Sequence, residues 1–145
     1  MPKNVLSEQT LKDFIGRLKT IVTYSKPYGI VRGMLRKWKK IGVVSCNSCA
    51  RACETGGKER MDEMAARLKQ DGYEVVDTEL LPMACNIDAA KRTDLKGDML
   101  VVLACDSGVV TLQSLFPSKI VVPALDTIGI GARDAQGNIF LMKKF

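Results

Sequence analysis

The chain has 145 residues, of which 46% are apolar and 26% charged, and it contains no histidine. This length suits one folded domain with a sizeable core, and the composition is that of a soluble globular protein. No apolar run approaches the roughly 20 residues that a membrane-spanning helix needs, and the N-terminus lacks the apolar core of a secretion signal, so we expect a cytoplasmic protein.

The net charge of +6 is unevenly distributed along the chain. Residues 1–40 carry ten Lys or Arg and two Asp or Glu, a net charge of +8, whereas residues 41–145 carry a net charge of −2. We therefore expect a near-neutral domain that follows a basic N-terminal segment.

Two helices are predicted in the basic segment. Over residues 7–22, Ser7 is a suitable N-cap and apolar residues recur at three- and four-residue steps, a pattern typical of an amphipathic helix. Pro27 ends this helix, because proline lacks an amide donor and disfavours helical geometry in the residue before it. Residues 30–40 are predicted to form a second short helix. Its apolar side comprises Ile30, Met34, Leu35 and Trp38.

From residue 41 onward, strands and helices are predicted to alternate. Apolar, β-branched runs predict strands, and amphipathic stretches between them predict helices. The predicted strands are residues 41–46, 73–82, 98–105 and 119–127, and the predicted helices are residues 57–72, 86–95 and 108–116. Gly72 is placed to end the first of these helices, and residues 129–145 are expected to add a closing turn and a strand.

Such alternation is typical of a parallel sheet that is covered on both faces. The predicted fold is therefore α/β: a small four- to five-stranded, mostly parallel Rossmann- or flavodoxin-like sheet. Residues 1–40 form its N-terminal basic helical extension, and residues 41–145 form the cysteine-rich α/β domain.

The five cysteines are the residues of this chain with the most evident chemistry. They are Cys46, Cys49, Cys53, Cys85 and Cys105. Three of them, Cys46, Cys85 and Cys105, end or follow predicted strands, and Asp126 and Thr127 end the fourth strand. Because ligands of open α/β sheets bind outside the carboxyl ends of the strands, we expect the thiols to converge at one edge of the sheet.

Four thiolates without an imidazole fit either a structural zinc ion or a [4Fe–4S] cluster. Structural zinc sites usually draw their ligands from two close pairs, whereas here one CxxC loop is joined by two isolated cysteines. The cluster is therefore the favoured interpretation, and zinc is the alternative. Five candidates for four positions leave one spare, and Cys49 and Cys53 compete for the fourth position unless an isolated cysteine is the free one.

Three other features of the sequence have more than one explanation. A CxxC dithiol that cycles through a disulfide normally opens a helix, whereas Gly56 and Gly57 place the helix start well after Cys49. The sequence TGGKER (residues 55–60) resembles an anion-binding turn, but it lacks a complete phosphate-binding motif and is better interpreted as a plain turn. The basic sequence RKWKK (residues 36–40) suits nucleic acid, an anionic lipid surface or, as the preferred interpretation, an acidic partner protein.

Four segments of the chain together resemble the methylenetetrahydrofolate reductase C-terminal domain family. They are GVVSCNSCARACETGGKERMDEMAARLKQDGYEV (residues 42–75), LPMACN (81–86), VVLACDSGVVTLQSL (101–115) and VVPALDTIGIG (121–131). This family comprises the cysteine-rich small subunit, or fused domain, of a flavin-dependent methylenetetrahydrofolate reductase in anaerobes. The resemblance covers about residues 41–131.

The resemblance implies iron–sulfur binding through the five cysteines and a TIM-barrel flavoprotein as partner. Family members commonly carry a further cysteine motif near the C-terminus, whereas residues 138–145, NIFLMKKF, contain none. Five cysteines suffice for one cubane cluster and not for two. The chain is thus identified as a shortened member of the family that holds one cluster.

The expected function is that of an iron–sulfur accessory subunit, which relays electrons to the flavoprotein or scaffolds it and docks partly through the basic segment. We expect neither a nucleic-acid partner nor a membrane span. A zinc-binding structural or adaptor module is the alternative. An independent enzyme is disfavoured, because the sequence offers no histidine and no evident pair of carboxylates for acid–base work.

Overall fold

The computed structural model of the chain describes residues 4–5 and 19–145. Its strands are β1 (Asn4–Val5), β2 (Lys19–Ser25), β3 (Lys40–Cys46), β4 (Glu74–Leu81), β5 (Met99–Leu103), β6 (Ile120–Pro123), β7 (Leu125–Arg133) and β8 (Ile139–Lys144). Its helices are α1 (Tyr28–Gly33), α2 (Cys49–Ala52), α3 (Gly57–Gln70), α4 (Ile87–Lys91) and α5 (Asp106–Leu115). Within the described ranges, no helix has the length and apolar character needed to cross a bilayer.

Four strands form a parallel sheet in the order β4-β3-β5-β6. The two central strands are buried, β5 along its whole length and β3 from Ile41 onward. Their uninterrupted apolar sequences suit strands that are covered on both faces. The prediction of an α/β fold built on a parallel sheet is therefore confirmed.

Helix α3 joins β3 to β4 and packs on both of them. Met61, Ala65 and Leu68 of its predicted apolar stripe are buried, since residues three and four apart share one helix face. Gly72 follows this helix with φ at 90°, a left-handed conformation that costs glycine little. The predicted helix and its end are thus confirmed.

A second sheet is formed by β7, which pairs antiparallel with both β2 and β8, while β1 pairs with β8. The prediction of a helix over residues 7–22 is wrong at residues 19–22, which lie in β2; residues 7–18 lie outside the described part of the chain. Thr20, Ile21 and Val22 are β-branched in succession, and such residues favour the pleated, paired conformation. Here the pairing with β7 prevails over the helical periodicity.

The prediction of one strand over residues 119–127 is also wrong. The parallel strand β6 ends at Pro123, and β7 of the antiparallel sheet begins at Leu125. Ala124 joins the two sheets, because its N–H donates to the carbonyl of Val102 at 2.9 Å and its carbonyl accepts from the N–H of Lys26 at 2.9 Å. The predicted closing turn and final strand are confirmed by β8.

Helix α1 is shorter than the predicted helix over residues 30–40, since it ends at Gly33. Val31 and Leu35 are buried, whereas Ile30, Met34 and Trp38 are exposed. The predicted apolar side is therefore wrong except at Leu35. The turn that follows Gly33 directs Leu35 towards the core and leaves the other apolar side chains outside.

Candidate metal centre

The parallel sheet contains one point at which the direction of the chain reverses. From β3 the chain moves outward to β4 on one side, and it then returns to β5 on the other side of β3. The carboxyl ends of strands at such a switch point border a crevice that binds ligands in open α/β sheets. Cys46 is the last residue of β3, and Cys105 follows the end of β5 by two residues. Two of the five thiols therefore lie at the switch point itself.

The loop after β4 carries a third thiol to the same edge of the sheet. The N–H of Asn47 donates to the carbonyl of Leu81 at 2.8 Å, which ties the ends of β3 and β4 together. Beyond this tie, the N–H of Ala84 donates to Sγ of Cys46 at 3.4 Å. Cys85, the next residue, is exposed, whereas Cys46 and Cys105 are buried.

The fourth thiol of this group belongs to Cys49, at the beginning of α2. The expectation that the helix start lies well after Cys49 is therefore wrong, because a four-residue helix precedes the longer helix that begins at Gly57. Although Cys85 is exposed, partial loss of hydration around its sulfur is the main cause that raises the pKa of this thiol, and the neighbouring Cys46 and Cys49 raise it further. The pKa of the Cys105 thiol is likewise raised, first by burial and then by Cys49 and Cys85. Four cysteines from separate segments thus lie close enough for their charges to interact.

Polar N–H and O–H groups lie near these sulfur atoms, and the N–H of Ala84 donates to Cys46. The backbone N–H groups of Gly108 and Ser107 act on Cys105 and lower its pKa, although burial outweighs them. The hydroxyl of Ser107 acts in the same sense on Cys85. Donors of this kind stabilise anionic, metal-bound thiolates in metal centres. Ser107 is a contributor that the sequence interpretation missed, because only the fold brings its helix turn beside Cys85.

Cys53 lies apart from the other four thiols. Its Sγ donates to the carbonyl of Ile21 at 3.5 Å, in β2 of the antiparallel sheet. It is not among the groups that shift the pKa of Cys85 or Cys105. Cys49 and Cys53 therefore differ in their surroundings: Cys49 lies near Cys85 and Cys105, whereas the thiol of Cys53 contacts β2.

Small side chains let the cysteine-bearing segments approach one another. A Cβ atom on Gly108 would lie 2.9 Å from the Cβ atoms of both Ala84 and Ala104, closer than real Cβ atoms come. The first turn of α5 therefore packs directly on the loop that carries Cys85. The N–H groups near the sulfur of Cys105 belong to the first turn of the same helix, since Cys105 is its N-cap residue.

The loop that carries Cys49 is fixed by buried polar contacts. The N–H of Gly57 donates to Oγ of Ser45 at 2.8 Å. The hydroxyl groups of Thr23 and Thr55 lie 2.7 Å apart, and Thr55 also donates to the carbonyl of Ala50 at 3.2 Å. These contacts give the sequence TGG a packing role, in agreement with its interpretation as a turn.

Two residues that were expected at the end of the fourth parallel strand lie in β7 instead. The carboxylate of Asp126 forms an ion pair with Lys26. The hydroxyl of Thr127 accepts a hydrogen bond from the N–H of Asp106 at 2.9 Å and so supports the start of α5. Thr127 thus acts at the centre indirectly, through the helix that follows Cys105.

The described ranges contain no group of three or more His, Cys, Asp or Glu side chains that encloses a position for one metal ion. Four thiolates on a zinc ion would lie about 3.8 Å apart, given Zn–S bonds of about 2.3 Å and tetrahedral angles. Sulfur atoms on a cubane cluster are more widely spaced, because each binds a different iron.

Comparisons of this chain with protein-family models, curated proteins and solved structures give no match. The assignment of a function therefore depends on the chemistry of the site and on the motifs in the sequence.

Proposed function

We propose that the chain is an iron–sulfur accessory subunit that holds one [4Fe–4S] cluster at the carboxyl edge of its parallel sheet. The ligands are Cys46, Cys49, Cys85 and Cys105. The observation that carries the proposal is the proximity of these thiols, which come from the end of β3, from α2, from the loop after β4 and from the end of β5. Cys53 is the spare thiol in this assignment.

The chemistry of the four sulfur atoms supports an anionic, metal-bound state. Burial disfavours an isolated thiolate, so the pKa values of Cys85 and Cys105 rise as long as no cation is near. Iron supplies the missing positive charge, and ligand cysteines bind as thiolates. The N–H groups of Ala84, Ser107 and Gly108 then donate to the sulfur atoms, an interaction that tunes the reduction potential of such clusters.

The proposal includes a finer description of the fold. Counted along the parallel sheet, the strand order is 2-1-3-4, which agrees with the flavodoxin-like doubly wound arrangement. Because crossovers between parallel strands are right-handed, the reversal at β3 puts successive helices on opposite faces of the sheet. In this description, the antiparallel sheet of β2, β7 and β8 is an addition to a doubly wound domain.

The proposed partner is the flavoprotein subunit of a methylenetetrahydrofolate reductase or of a related redox complex. A bound [4Fe–4S] cluster takes up and releases single electrons. Cys85 is exposed, so this edge of the centre is open to a docked partner. The support for this particular reductase is the cysteine pattern of residues 42–131 described above, and the small subunit relays electrons to the flavin or holds the complex together.

A matched pair of cysteine variants tests the ligand set. After anaerobic purification, iron and acid-labile sulfide are measured in the wild-type protein, in Cys105→Ser and in Cys53→Ser. We expect about four iron atoms and four sulfides per chain in the wild type, loss of both in Cys105→Ser, and full retention in Cys53→Ser. Cysteine is replaced by serine in both variants, so the pair separates ligand loss from the general effect of losing a thiol.

The outcomes that would reject the proposal are specific. Stoichiometric zinc without sulfide in the wild type would replace the cluster by the zinc-stabilised adaptor module. An unchanged visible and EPR spectrum in Cys105→Ser would remove that residue from the ligand set. Loss of iron in Cys53→Ser, with iron kept in Cys49→Ser, would reverse the assignment of the spare thiol.

A further inference from the structure

Residues 30–40, hereafter the basic–aromatic segment, combine five Lys or Arg residues with no Asp or Glu and include Trp38, the only tryptophan of the chain. Two apolar side chains hold the segment against the domain: Val31 is fully buried, and Leu35 is 5% exposed. It therefore lies against the domain and presents its remaining side chains outward.

The outward side chains include three large apolar groups within nine residues. Ile30 is 58% exposed, Met34 36% and Trp38 77%. Single exposed apolar residues are common on soluble proteins, but a concentration of them in one short segment marks an interaction surface. Tryptophan in particular favours the boundary between water and an apolar phase, because its ring is apolar and its N–H is polar.

Among the described residues, most of the positively charged side chains of the segment have no ion-pair partner. Arg32 lies 3.7 Å from the carboxylate of Asp71. The other four basic side chains form no ion pair with any residue in the described ranges; they are Arg36, Lys37, Lys39 and Lys40. The complementary surface is therefore anionic.

The combination of apolar and cationic groups identifies the kind of anionic surface. Nucleic acid offers phosphates and bases that stack on an aromatic ring, but it offers nothing to Ile30 and Met34. A bilayer with anionic phospholipids offers negative headgroups to the basic side chains and an acyl boundary to the apolar ones. The acidic protein partner preferred from the sequence rested on a charged, solvated helix face, and such a face makes no use of the exposed apolar side chains of Ile30, Met34 and Trp38.

We propose that the basic–aromatic segment binds the surface of a bilayer that contains anionic phospholipid. The indole of Trp38 lies at the level of the headgroups, Ile30 and Met34 contact the acyl boundary, and the basic side chains neutralise the lipid phosphates and carboxylates. The domain is held at the surface and does not enter the bilayer.

The position of the segment in the fold sets the orientation on the membrane. It leads into the amino end of β3 at Lys40, and Nζ of Lys37 lies 5.6 Å from the ring centre of Tyr73, which precedes β4. The candidate metal centre is at the other end of β3, at Cys46, about 20 Å away for a strand of this length. Binding to the bilayer therefore leaves the cysteine edge free for a partner.

The fluorescence of Trp38 tests this proposal directly, since no other tryptophan contributes to the signal. The purified chain is titrated with vesicles of phosphatidylcholine and phosphatidylserine in equal parts, and with vesicles of phosphatidylcholine alone. We expect the Trp38 emission to move to shorter wavelength with the mixed vesicles only, to be quenched by brominated acyl chains in them, and to return to its original position in high salt.

Charge variants provide a matched control. The double variant Lys37→Gln/Lys39→Gln is expected to lower vesicle affinity about 25-fold, because each basic residue near an anionic surface contributes about a factor of five. The variant Lys91→Gln/Arg92→Gln removes the same charge from exposed positions at the end of α4, and we expect it to leave the affinity within about twofold. Trp38→Ala is expected to weaken sedimentation with the mixed vesicles, and it should fold normally because the side chain is exposed.

Three outcomes would overturn the proposal. The first is an unchanged Trp38 emission with the mixed vesicles. The second is an equal loss of affinity in the two double variants, which would show that overall charge alone attracts the protein. The third is a shift of the emission with polyglutamate but not with vesicles, which would identify the segment as a docking surface for an acidic protein. None of these measurements depends on the metal content of the chain.

Discussion

Gly56→Ala should destabilise the protein, because the added Cβ atom would overlap sterically with buried neighbours that cannot easily move. A Cβ atom at this position would lie 2.6 Å from the Cβ of Ala50, 2.9 Å from Oγ of Ser45 and 3.2 Å from the carbonyl oxygen of Leu103. Carbon atoms pack at about 3.5–4.0 Å, so Ala50 must move by about 1 Å. It is fully buried in α2, between Cys49 and Cys53, and the movement displaces the loop that carries Cys49.

The expected loss is about 2–3 kcal/mol in the free energy of unfolding, the upper part of the range for an overpacked interior. For a chain of this size, the melting temperature should fall by roughly 5–10 °C. Gly29→Ala is the matched control, since nothing lies within 4 Å of a Cβ atom there. That variant should show no loss and a gain of up to about 1 kcal/mol, because alanine favours the helix.

The assay is urea unfolding of the reduced, metal-free chain followed by circular dichroism, with iron loading measured separately. Gly56→Ala should unfold at a lower urea concentration and retain less iron than Gly29→Ala. If both variants unfold within about 0.5 kcal/mol of the wild type and load iron equally, then the packing of Gly56 does not fix the loop of Cys49.

Two further variants test other contacts. Ser45→Ala should lower the unfolding free energy by about 1–3 kcal/mol, because the buried Gly57 N–H loses its acceptor at 2.8 Å; an unchanged urea midpoint would contradict this role. Burial raises the pKa of Tyr28 to about 12. The hydrogen bond from its hydroxyl to the carboxylate of Asp71, at 2.5 Å, contributes to this rise. The protonated phenol therefore stabilises the fold fully below about pH 10, the ordinary pKa of tyrosine, and this contribution is lost as the pH rises towards 12. Wild-type protein should lose stability relative to Tyr28→Phe across that interval in urea unfolding at several pH values, and parallel curves would refute the assignment.

The position of the candidate metal centre could largely be predicted from the sequence, because of the topology of a parallel sheet. Parallel strands that alternate with helices all point the same way, so residues at their carboxyl ends meet at one edge whatever the intervening sequences are. Cys46 and Cys105 could be assigned to that edge from the apolar runs that precede them. The donor to Cys46 could not, because Ala84 is 38 residues away in sequence and reaches that sulfur atom only when the loop after β4 folds against the end of β3.

The basic–aromatic segment shows that apolar residues at helical spacing do not always form a buried helix face. Ile30, Met34, Leu35 and Trp38 recur at helical intervals, yet the helix ends at Gly33 and three of the four are exposed. A pattern of apolar residues predicts a buried face only while the element that carries it continues. Here the chain turns before the pattern ends.

Local chemistry was enough to determine the alternation of strands and helices after residue 41, since apolar runs, helix periodicity and Gly72 act on neighbouring residues. The partition into two sheets was decided by contacts between distant segments, such as β2 with β7 and the ion pair of Lys26 with Asp126, which no local pattern encodes. The same holds for the difference between Cys49 and Cys53, which lie at the two ends of α2: only β2, with the carbonyl of Ile21 beside Cys53, gives the two thiols different surroundings. Strand pairing depends on partners far apart in the chain, and it therefore becomes defined only when the whole domain folds.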